Sequence, residues 1–136
     1  MRRIVFSLIA AAVLLSQAGY AEKKVEMQTG SIVPGAEGRA VLEHDRNKNI
    51  QVTLEVRHLA KPQSLSPAKE TYVVWIQPEG QQPNNVGVLR ISDELRGDFR
   101  TTTPYKRFDL FVTAEDSATA SSPGGTEIMR QQIQYK

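Results

Sequence analysis

The chain has 136 residues, enough for one domain with its own core, and it contains no cysteine. That excludes disulfides, thiolate zinc sites, thiol nucleophiles and acylation through a lipoprotein cysteine. Of the 17 Lys and Arg, Arg2 and Arg3 lie in the amino-terminal segment, so the rest balance at 15 against 15 Asp and Glu, and such a neutral domain has no bulk field to attract nucleic acid or anionic lipid.

Residues 1–21 have the layout of a cleavable signal peptide. Arg2 and Arg3 precede an apolar run over 4–15 that only Ser7 interrupts. The run falls short of the roughly 20 apolar residues a membrane-spanning helix needs. Gly19 and Ala21 supply small side chains for a cut before Glu22, and Ser16 and Ala18 also allow one after Ala18. The expectation is an exported protein, periplasmic or secreted, with no membrane span after cleavage and a single domain over 22–136.

Beyond Glu22 the dominant pattern is period-two alternation, the signal of half-buried strands. It predicts strands over 25–29, 38–45, 50–56, 71–77, 86–92, 98–103, 107–113 and 127–135. The clearest places Ile50, Val52, Leu54 and Val56 on one face and Gln51, Thr53, Glu55 and Arg57 on the other. Turn residues separate the strands: Arg46-Asn47-Lys48-Asn49, Pro78-Glu79-Gly80, Pro83-Asn84-Asn85 and Ser122-Pro123-Gly124-Gly125. Residues 60–70, with Pro62 and Pro67, read as a long loop, and no segment past the leader has a helical period. The predicted class is all-β: an antiparallel, Ig-like β-sandwich of about seven to eight strands, with a barrel as the alternative.

Glu70-Thr71-Tyr72-Val73-Val74-Trp75-Ile76 precedes a Gly/Pro/Asn loop and then Val86-Gly87-Val88-Leu89. Phe108-Asp109-Leu110-Phe111-Val112-Thr113-Ala114-Glu115 follows, then a small-residue loop with Pro123-Gly124-Gly125. This order, over roughly residues 50 to 134, resembles the extracytoplasmic domain of anti-sigma-K-type factors. The Tyr-x-x-Trp element is the most distinctive part. The resemblance implies a β-sandwich outside the cytoplasm that is not an enzyme. Members of that family join a cytoplasmic sigma-binding domain, a membrane helix and this outer domain. Here a signal peptide stands at the amino terminus, so a stand-alone relative without sigma binding is expected.

Three groups of residues are site candidates. Alternation puts Tyr72, Val74 and Ile76 toward the core, and Val73 and Trp75 on the other face. Trp75 is then either covered by a loop or packed at the sandwich edge, or it forms with Val73 an exposed apolar patch for a partner or flat ligand. Tyr105 is the other aromatic available to such a platform. In an antiparallel sandwich the loops near 60–70, 93–97 and 115–126 share one end. That end would gather Asp93, Glu94, Asp98, Glu115 and Asp116, either as solvated turns or as a calcium site. No EF-hand spacing is present, and no cofactor is expected otherwise. His44 and His58 are the only histidines, placed as possible cross-hairpin neighbours but without the ligands or nucleophile a metal site or triad needs. Arg96-Gly97-Asp98 reads as a tight turn with Gly97 at positive φ. Tyr105-Lys106-Arg107 reads as a solvated strand start, too short for an anion-binding surface.

The functional expectation is an exported, non-catalytic module that acts by protein contact or envelope sensing, with a protein partner in the cell envelope. The second class is binding of carbohydrate or another envelope ligand. An enzyme ranks third, because no nucleophile, tuned acid or base and pocket coincide.

Overall fold

The computed structural model describes residues 22–136, and the expected signal peptide lies outside them. The described residues form an antiparallel β-sandwich of nine strands. They are β1 (Lys23–Glu26), β2 (Gln28–Thr29), β3 (Glu37–His44), β4 (Ile50–Arg57), β5 (Thr71–Pro78), β6 (Asn84–Leu89), β7 (Gly97–Thr103), β8 (Arg107–Glu115) and β9 (Thr126–Gln134). One sheet has the order β1-β3-β4-β7 and the other β2-β9-β8-β5-β6. The chain crosses between sheets after β1, β2, β4, β6 and β7, and makes hairpins at β3–β4, β5–β6 and β8–β9.

The strand positions follow the alternation. In β4, Ile50, Val52, Leu54 and Val56 are buried while the residues between them are half-buried. These four pack against Tyr72, Val74 and Ile76 of β5 and Leu110 and Val112 of β8 in one continuous core. Among the described residues, the loop over 58–70 holds the one helical turn, Pro62–Ser64. None of their helices is long and apolar enough to cross a membrane.

The structure departs from the expected strands at two points. The first strand divides at Met27, which is 7% exposed and takes a core position. Its amide donates to the Gly38 carbonyl at 2.8 Å. Lys23–Glu26 therefore pairs with β3, and Gln28–Thr29 crosses to pair with β9. One predicted strand thus closes the same side of both sheets and blunts two edges. On the opposite side, β6 stops at Leu89 rather than 92. There Gly87 has φ +142, and a Cβ would stand 2.7 Å from the Phe99 ring. The missing side chain lets β6 lie over β7.

Local chemistry sets the turns. The Asp45 carboxylate accepts the amides of Asn47 and Asn49 at 2.8 and 2.9 Å, with Lys48 left-handed at φ 63. The buried Tyr72 hydroxyl donates to the Ala60 carbonyl at 2.5 Å and so pins the long loop to the core. Burial pushes the Tyr72 phenol up to about 12, because its ionised form would lose hydration.

Candidate functional site

Val73 and Trp75 are not an exposed patch: both are 0% exposed. They do lie on the outer face of their sheet, but with Phe111 they form a second apolar cluster, and Ala120 packs onto it. The Trp75 and Phe111 rings lie 6.2 Å apart at 15°. The loop carrying Ala120 is held down by Asn85, whose side-chain amide donates to the Ala118 and Ala120 carbonyls at 3.0 Å each. On the other flank the Arg130 guanidinium sits 4.0 Å from the Phe111 ring centre and pairs with Asp109 and Glu127 at 2.6 and 2.7 Å. Tyr105 is exposed, in the β7–β8 turn, where its hydroxyl reaches Gln81 Oε1 at 3.4 Å. Two of the three platform candidates are therefore buried, and the third stands at a turn.

The three loops expected at one end do meet there. The Leu59 amide donates to the Leu95 carbonyl at 3.1 Å, and the Glu70 amide to the Glu115 carbonyl at 3.1 Å. Their carboxylates, however, do not converge on an ion. Asp93 takes Lys61 at 2.5 Å, and the lysine's hydrogen bond and charge hold the Asp93 carboxyl below its usual range. Asp116 faces Lys69 at 3.4 Å. Asp98 lies exposed in β7 opposite Glu55, and Glu94 is exposed in its turn. Glu115 is 5% exposed. It accepts from the Thr113 hydroxyl at 2.5 Å and from the Gly125 and Gly124 amides at 3.0 and 3.3 Å. Among the described residues no group of three or more metal-ligating side chains could hold a metal. The five acids do not form a calcium site: lysines face Asp93 and Asp116, donors surround Glu115, and Glu94 and Asp98 stand exposed, which is the solvated alternative.

Two smaller expectations are corrected as well. His44 pairs with Ile50 at one end of the β3–β4 hairpin, whereas His58 follows Arg57, the partner of Glu37, at the other. The histidines are thus separated by the length of the hairpin. In the Ser92–Arg96 turn the positive φ falls on Leu95, at 62, not on Gly97. Gly97 is required for a different reason: a Cβ would stand 2.5 Å from the Arg90 carbonyl oxygen.

At the opposite end of the sandwich lies an open cleft of about 950 Å³. The start of β1, the ends of β3 and β9 and the start of β8 build it. Lys23, Lys24, Lys106, Arg107 and Lys136 line it, with Glu22 as the carboxylate side chain among its described walls. Hydrogen bonds to backbone carbonyls tie the segments together. Lys23 Nζ donates to the Gln134 carbonyl at 2.8 Å, and the Tyr135 amide to the Lys106 carbonyl at 2.9 Å. His44 Nε2–H donates to the Lys136 carbonyl oxygen at 2.9 Å, and its ring lies 4.6 Å from that of Tyr135. Arg107 faces Glu79 at 4.0 Å, while Lys24, Lys106 and Lys136 form no ion pair among the described residues. The balance of 15 basic against 15 acidic residues after the leader-like segment conceals this local excess. Lys106-Arg107 alone is too short for an anion surface, but the register adds two further segments to it.

With this geometry the class is plain, a two-sheet antiparallel β-sandwich with a basic cleft at one end. No protein-family model matches the chain, and no curated protein matches it either.

Proposed function

We propose that this protein is an exported, non-catalytic binding module of the cell envelope that engages its partner through the basic end of the sandwich. The observation that carries this reading is the 950 Å³ cleft, within the size range of ligand sites, where Lys24, Lys106 and Lys136 are exposed and form no ion pair among the described residues. The leader-like segment supports export. The resemblance to the outer domain of anti-sigma-K-type factors supports envelope sensing by contact with a partner. A non-catalytic role agrees with how the reactive side chains are used: Glu115 is held by three hydrogen bonds, and His44 and His58 lie at opposite ends of one hairpin.

A second reading, carbohydrate binding, is favoured by one observation. Gln77, Asp109 and Gln132 sit side by side across β5, β8 and β9 and line a polar cleft of about 190 Å³. Amides and carboxylates in a row suit sugar hydroxyls.

Sedimentation with isolated envelopes separates the two readings. The wild-type protein is expected to pellet with envelopes at low salt. Lys24→Glu with Lys106→Glu should leave it in the supernatant, and Gln132→Ala should not. Loss in the Gln132 variant alone would favour the sugar reading, and no pelleting of the wild type would remove both.

A further inference from the structure

We propose that the basic cleft is a site for a ligand bearing clustered phosphate groups. The proposal rests on the binding-module reading and names its ligand chemistry. Five cations line the cleft; Arg107 faces Glu79, and for the other four, all lysines, Glu22 is the carboxylate side chain among the described walls. The surplus calls for a multiply charged anion, and phosphate concentrates more charge per group than carboxylate does. Four of the five are lysines, compact charges with rotatable donors that suit phosphate oxygens from several directions. A site selecting planar carboxylates would favour bidentate arginines, and only Arg107 is present.

The geometry also limits what can occupy the site. Tyr135, 7% exposed, and the His44 ring beside it form a firm wall. The lysine ammonium groups stand on apolar stems around that wall, so charge is presented at the rim of a concave surface. A cleft of this size admits a headgroup or a short phosphorylated unit rather than a bare ion.

Phosphate groups of this kind come either from a lipid headgroup or from a soluble phosphorylated compound, and the two are distinguishable. The protein, in the form that accumulates on expression of the 136-residue chain, is titrated with tripolyphosphate by calorimetry. In parallel it is sedimented with phosphatidylcholine vesicles, with and without phosphatidylglycerol. One saturable tripolyphosphate site is expected. Lys24→Gln with Lys106→Gln should weaken it about tenfold, since each exposed charge contributes a factor of about three at low salt. Arg57→Gln with Arg90→Gln, exposed cations away from the cleft, should leave it unchanged.

If the lysine pair matters only for the phosphatidylglycerol vesicles, the source is a lipid headgroup. If it matters for tripolyphosphate but not for vesicles, the source is soluble. Binding to neither, or equal loss in the arginine control, overturns the proposal. Should envelope pelleting still depend on Lys24 and Lys106 in that case, the binding module stands and only its phosphate ligand is wrong. Should pelleting fail too, the functional reading falls with it.

Discussion

Replacing Trp75 with alanine is expected to destabilise the domain by about 3–5 kcal/mol, the range for removing a large aromatic from a closed core. The side chain is 0% exposed and lies between Val73, Phe111 and the loop carrying Ala120. Truncation removes the contact with Phe111 and leaves a void that the two strands cannot close, because β5 and β8 are fixed by eight register pairs. It also removes the indole N–H that donates to Thr113 Oγ1 at 2.8 Å. Trp75→Phe, which keeps a ring but loses that donor, should cost nearer about 1 kcal/mol plus some packing loss. Urea unfolding followed by far-ultraviolet circular dichroism measures both, since the variants lack the chain's only tryptophan. A change below about 0.5 kcal/mol, typical of exposed positions, would restore Trp75 as a surface platform.

The second large effect is expected at Glu115. Glu115→Ala should cost about 2–4 kcal/mol, because hydrogen bonds to a charged group are worth about 1.5–3 kcal/mol and several break together. The Thr113 hydroxyl and the amides of Gly124 and Gly125 all donate to this carboxylate. Through Thr113 the same chain of bonds reaches the Trp75 indole, so the loop over 116–125 and the aromatic cluster beneath it share one anchor. Alanine should therefore loosen the loop and let water reach Trp75. The readout is a red shift of tryptophan emission together with a lower urea midpoint. A calcium ligand would behave differently. Its loss would be silent in calcium-free buffer, and calcium would raise the melting temperature of the wild type.

Most strand positions were legible because each sheet has one face in the core, and period two records that directly. Antiparallel connectivity alone places three loops at one end, and the contacts of Leu59 with Leu95 and of Glu70 with Glu115 bear that out. Alternation could not report that β5 is buried on both faces. Its outer face is covered by a loop of small and polar residues, anchored by Asn85 from another strand, and no local pattern encodes that distance. A usable signal existed in β8, where Leu110, Phe111 and Val112 are consecutive apolar residues, a run typical of strands covered on both sides.

The basic cleft was illegible for another reason. Lys23-Lys24, Lys106-Arg107 and Lys136 are short and distant in sequence, and only pairing at the ends of β1, β8 and β9 brings them to one place. The acidic residues were the reverse case. They are conspicuous as Asp93-Glu94 and Glu115-Asp116, yet Lys61, Lys69 and the Gly124 and Gly125 amides occupy three of the four. Charge runs in sequence count ions but not their partners.

The most direct test of an exported module is the intact mass of the native protein in fractionated cells. The predicted result is a species outside the cytoplasm that begins at Glu22 or Gly19 and leaves the envelope when salt is raised. A start at Glu22 would also bring a new α-amino group to the rim of the basic cleft. A full-length species confined to the cytoplasm would contradict export and, with it, an envelope partner.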